Sequence, residues 1–164
     1  MINLKRLLKQ PLQAVPSKFV ILLIVIAILG FADASYLTVE HYKNSIPPCT
    51  LVEGCETVLT SGYSKIAGIP VSLLGVIFYF AVAVGLFGYI EGKREKFLRF
   101  SLIITVFGFL MTLWFLFLQA FILDAYCLYC MFSALTSTAL FVISAIILSK
   151  YSKPMDSQNN SPLV

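Results

Sequence analysis

Four stretches with almost no charge decide what this chain can fold into: Phe19 to Val39, Pro70 to Ile90, Phe100 to Leu123 and Cys127 to Ser149. Each is long enough to cross a bilayer core of about 30 Å as a helix. Hydrophobic residues make up 59% of the 164 and charged ones only 12%. Soluble domains carry roughly one-quarter charged residues, so a soluble globular enzyme is excluded. The expected fold class is an all-α integral membrane protein. It is a four-transmembrane-helix bundle with a short amphipathic interfacial helix in the first outer loop. The expected organisation is an N-terminal segment over residues 1–18, a membrane domain over 19–149 with its outer loop at 40–69, and a polar tail over 150–164 without fixed structure.

The net charge of +4 is a matter of topology. Lys5, Arg6, Lys9 and Lys18 precede the first span, Lys93, Arg94, Lys96 and Arg99 fill the second connection, and Lys150 and Lys153 follow the last span. Only Lys43 and Lys65 lie on the other side. This asymmetry places both termini in the cytoplasm of a cell (plasma) membrane protein and the long loop outside. It leaves no nucleic-acid role for the basic residues. The basic start, the apolar run and Ala32-Asp33-Ala34 also resemble a signal peptide with its cleavage site. Apolar character resumes at Tyr36, Leu37 and Val39, and Pro11 and Pro16 interrupt the basic region, so an uncleaved first span is expected.

All four cysteines lie in or beside the outward-facing segments. Cys49 and Cys55 sit in the long loop, and Cys127 and Cys130 open the fourth span after a very short connection. That connection makes spans three and four antiparallel neighbours. Small residues at helical spacing, Ala81 with Gly85 and Ala134 with Thr138, suit close helix approach. In the loop, Pro47-Pro48 stiffens the approach to Cys49, and Gly54 allows a sharp turn before Cys55. Val58, Leu59, Gly62, Tyr63 and Ile66 then recur at helical spacing, which predicts an amphipathic helix over Glu56 to Ala67 lying on the membrane surface. Cys55 would stand at its N-terminus, where the helix dipole favours a thiolate.

Cys127-Leu128-Tyr129-Cys130 is a C-x-x-C in the first turn of a helix, so its sulfurs share one face, about 4.5 Å apart along the axis. A disulfide there closes almost no loop and contributes little stability by chain entropy. Facing the oxidising side, beside a second pair able to open and close, it reads better as a relay than as a staple. Two static disulfides, or one disulfide with two inert thiols, remain the structural alternatives. Metal ligation by four thiolates with His41 nearby is disfavoured because there is only one C-x-x-C, and no metal is expected. His41 reads as an interfacial histidine. Cys130 lies one turn deeper in the membrane than Cys127, so a lipid-soluble quinone is the natural acceptor.

The run Ser35-Tyr36-Leu37-Thr38-Val39-Glu40-His41-Tyr42, then Cys49-x5-Cys55, Ser61, Gly68-Ile69-Pro70-Val71-Ser72-Leu73-Leu74-Gly75 and Tyr126-Cys127-x-x-Cys130 resembles the bacterial branch of the vitamin K epoxide reductase family. The likeness covers residues 17 to 150. It implies four helices around a quinone of the ubiquinone or menaquinone type, loop cysteines that shuttle electrons, and a C-x-x-C that reduces the quinone. Ser61 matches the family's loop Ser or Thr, associated with positioning the shuttle and the quinone site. Many relatives carry a fused thioredoxin-like domain. Here a separate DsbA-like thioredoxin-fold protein is the expected electron donor, and the quinone pool of the lipid bilayer is the acceptor. Where vertebrate enzymes have Thr-Tyr-Ala after the C-x-x-C, this chain reads Ser133-Ala134-Leu135, which argues against vitamin K epoxide itself as substrate and against strong coumarin sensitivity.

The expected catalytic residues are therefore Cys49, Cys55, Cys127 and Cys130. The helix-end position marks Cys55 as the sulfur that the donor attacks, releasing Cys49 to attack Cys127. Asp33 is the one acid inside a span and joins Ser61 as a candidate for the quinone site. Trp114 reads as lipid-facing or packing. The expected function is a thiol:quinone oxidoreductase that supports disulfide formation. A DsbB-type oxidase usually places its C-x-x-C in the first outer loop instead. The rival from another class is a small membrane scaffold or metal-handling protein with static cysteines.

Overall fold

A computed structural model describes residues 15–47, 54–92 and 95–151. Cys49 lies outside them, as do most of the N-terminal segment and the tail. Helix α1 spans Ser17–Tyr42. A short helix α2 spans Cys55–Thr60, and a 3-10 turn follows at Gly62–Ser64. Strands β1 (Lys65–Ile66) and β2 (Ile69–Pro70) form a small antiparallel hairpin. The remaining helices are α3 (Val71–Gly92), α4 (Glu95–Phe117) and α5 (Leu128–Tyr151), with a π-helical turn, Leu118–Ile122, extending α4. Four helices are long and apolar enough to cross a membrane. Helices α1, α3, α4 and α5 pack in a closed ring, each on the next and α5 back on α1.

The termini of these elements have local causes. Helix α1 ends in a Schellman motif: Asn44, at φ 53°, donates its N–H to the His41 carbonyl, and the Ser45 N–H reaches the Glu40 carbonyl. Asn is one of the few non-glycine residues to adopt this left-handed conformation readily. The loop helix is shorter than its sequence periodicity predicts. It stops at Thr60 because Ser61 turns extended and its hydroxyl takes up the Val58 carbonyl at 2.7 Å. Ala67 and Gly68 then both have positive φ, the mirror-image turn that matches the twist of a two-residue hairpin, and the backbone pairs as strands. Of the apolar residues that suggested a longer helix, Val58 is buried, whereas Tyr63 and Ile66 are exposed.

One end of the ring is solid. Val20, Leu23, Ala27, Val82, Leu86, Leu98, Leu102, Leu140 and Ile147 form its buried core. Close approach there follows from small residues. A Cβ on Gly85 would lie 2.0 Å from the Ser101 hydroxyl, and Ser101 donates across to the Val82 carbonyl or back to that of Phe97. Outward-facing Ile, Leu, Val and Phe side chains cover the ring's exterior, with Trp114 among them, as a lipid-facing surface requires.

Candidate active site

At the other end, where the outer loop sits, the ring encloses a cavity of about 820 Å³. One face of α5 (Cys130, Ser133, Ala134 and Ser137, at helical spacing) lines it, together with Asp33 and Leu37 of α1, Tyr79 of α3 and Gln119. Ser61 and the hairpin close its mouth, with Glu40, His41 and Lys65 on the rim. The walls are otherwise aliphatic and aromatic. Two buried polar atoms on this lining, Asp33 Oδ2 and Ser137 Oγ, have no hydrogen-bond partner within the described residues. A roomy apolar chamber with a few convergent polar groups is the usual form of a small-molecule site.

Tyr79 crosses the ring through the cavity wall. Its hydroxyl lies 2.8 Å from Thr136 Oγ1, 3.2 Å from Ser133 Oγ and 2.9 Å from the Ser133 carbonyl, tying α3 to α5. Gly30 makes this possible: a Cβ there would stand 2.3 Å from the Tyr79 ring. Beside the cavity runs a dense seam in which Cys55, Val58 and Cys127 form one buried cluster, with Leu59, Leu123, Ala125, Tyr129 and Cys130 packed against it. Cys55, the first residue of α2, is only 1% exposed, and Cys127 is fully buried. Gly54 permits this contact. Any side chain there would meet the Tyr126 backbone N and O at 2.6 Å, immediately before the C-x-x-C.

Cys55 is disulfide-bonded, whereas Cys127 and Cys130 are thiols. Cys127 stands just before α5, and the Cys130 N–H donates to its sulfur at 3.5 Å, the geometry of a helix N-cap. The Cys130 thiol donates to it as well. With the Cys130 and Tyr129 amides, that bond outweighs burial and holds the Cys127 thiol below its ordinary pKa. The Cys127 N–H has no helical partner and donates to Gln119 Oε1 at 3.0 Å. The π turn sets Gln119 there, and Asp124, at φ 46°, reverses the chain between them.

The sequence candidates thus divide. Cys130, Ser61 and Asp33 line the cavity, Cys55 and Cys127 share the adjoining seam, and Cys49 lies outside the described residues. Burial of Cys55 against Cys127 runs against the expectation that a protein donor attacks it. Gln119, Tyr79 and Ser137 were not singled out from the sequence. A lone Gln just before the Asp124 turn is the only signal that pointed to any of them. The vitamin K epoxide reductase family model matches residues 21–145, most of the chain and all four helices that line the cavity. The chain belongs to the vitamin K epoxide reductase family. No curated protein matches it. As a member of that family it is an integral membrane thiol–disulfide oxidoreductase, and the family is quinone-linked.

Proposed function

We propose that this family member oxidises a DsbA-like thioredoxin-fold protein outside the cell membrane and passes the electrons to the quinone pool, with both termini in the cytoplasm. One observation carries the reading: the C-x-x-C bridges a buried contact with Cys55 on one side and a large apolar cavity on the other. Asp33, Ser61 and Ser137 are the polar groups that would hold a quinone of the ubiquinone or menaquinone type there. A bound quinone supplies a two-electron, two-proton sink.

The residues act in turn. The donor dithiol attacks Cys49 of a Cys49–Cys55 disulfide and releases Cys55 as a thiolate. Cys55, already packed on Cys127, attacks that sulfur of a Cys127–Cys130 disulfide and releases Cys130. The donor's second thiol breaks the donor–Cys49 mixed disulfide and leaves oxidised; the freed Cys49 then resolves the Cys55–Cys127 bond, which restores the loop disulfide and leaves Cys127 and Cys130 reduced. Each exchange moves two electrons with one disulfide broken and one formed. Closure of the Cys127–Cys130 disulfide then releases the electron pair into the cavity.

Quinone absorbance, followed with purified chain, reduced DsbA-type donor and decylubiquinone, tests this. Turnover is expected in the native chain, and Cys127→Ser or Cys130→Ser abolishes it. Turnover retained in Cys130→Ser would refute the assigned order.

A further inference from the structure

Resting on that reading, we propose that Asp33 is the proton donor of the quinone-reducing step, supplying the one proton that the cysteine pair does not. Proton balance makes the demand. Cys127 leaves the Cys55–Cys127 bond as a thiolate and caps α5, where it accepts from the Cys130 amide. When Cys127 and Cys130 close to a disulfide they give up two electrons but only the Cys130 proton, whereas quinol formation consumes two. The cavity must provide the other.

Asp33 is placed to do so. It lines the cavity with Cys130, among the described residues it is the one acid more than two residues from the end of a membrane-spanning helix, and its Oδ2 is buried without a partner among those residues. A carboxyl oxygen with no internal acceptor or donor is available to a ligand, and intramembrane acids are costly unless they do such work. Tyr79 on α3, and Cys127 and Cys130 at the start of α5, lie close enough to act on it electrostatically. Glu40 and His41 follow on its own helix at the cavity mouth. After donating, Asp33 is a carboxylate that regains its proton from water at that mouth. Because the protonated carboxyl is the donor, turnover falls as pH rises through its titration.

The test uses the full chain with decylubiquinone and a reduced DsbA-type donor. Asp33→Asn, close in size, is expected to slow quinol formation on the order of 100-fold, as loss of a general acid does. Its alkaline limb should disappear from the pH profile, while electron transfer from donor to the Cys127–Cys130 pair, read by thiol trapping, is unchanged. Asp33→Glu restores turnover in part. Independently of turnover, infrared difference spectra between quinone-bound and quinone-free chain should contain a carboxylic C=O band that Asp33→Asn removes. Native turnover and pH profile in Asp33→Asn, or an unchanged difference spectrum, would overturn the proposal. No quinol formation by the native chain, with thiol exchange intact, would instead overturn the quinone reading beneath it.

Discussion

The two ends of this four-helix ring use the same apolar alphabet to opposite effect. At the end away from the outer loop, Leu23, Leu86, Leu98, Leu102, Leu140 and Ile147 fill the interior, and the Gly85–Ser101 contact draws two helices together. At the loop end the inward positions of α5 are Cys130, Ser133, Ala134 and Ser137, too small to meet in the middle, and a cavity of about 820 Å³ remains. The lesson is that hydropathy, nearly uniform along each span, sets membrane insertion but not filling. Side-chain volume at inward positions decides which half is scaffold and which half is site.

That contrast can be broken from either side. Leu86→Ala in the solid half leaves a void and should cost about 3 kcal/mol of stability, read by unfolding in detergent, with the donor-independent affinity for decylubiquinone unchanged. Gly54→Ala acts at the loop end alone. Its methyl group meets the Tyr126 backbone, lifts Cys55 off Cys127 and slows donor-linked turnover about 100-fold, at a cost of about 1–3 kcal/mol in stability. Thiol trapping should then find the loop pair reduced and the C-x-x-C starved of electrons. Tyr79→Phe is the mildest. It removes the hydroxyl that joins α3 to Ser133 and Thr136 and should cost about 1 kcal/mol, the scale of interhelical hydrogen bonds in membranes. A larger loss of stability in Tyr79→Phe than in Leu86→Ala would invert the assignment of scaffold and site.

Much of this was legible in the sequence because it depends on composition and short-range spacing. Twenty-odd uncharged residues specify a span wherever they fall, and an i, i+3 cysteine pair opening a helix shares one face in any tertiary setting. Asp33 stood out because an acid in an apolar helix is rare. The loop helix was over-extended because its apolar spacing beyond Thr60 was compatible with a helix, while the positive φ of Ala67 and the strand pairing it allows carry no clear local signature. Gln119 escaped notice because its importance lies in receiving the Cys127 N–H eight residues later, across a π turn and a chain reversal.

The sequence by itself determined a four-span membrane protein with a C-x-x-C at the start of its last span. These follow from local physics, namely the cost of placing backbone and charge in lipid and the geometry of a single helical turn. Only the tertiary structure decided that Cys55 is buried on Cys127, and that Cys130, Asp33 and Ser137 look into one chamber. Those relations join residues up to about a hundred positions apart. They depend on how four nearly featureless apolar helices rotate about their axes, which is fixed by the fit of single glycines against single rings, such as Gly30 against Tyr79.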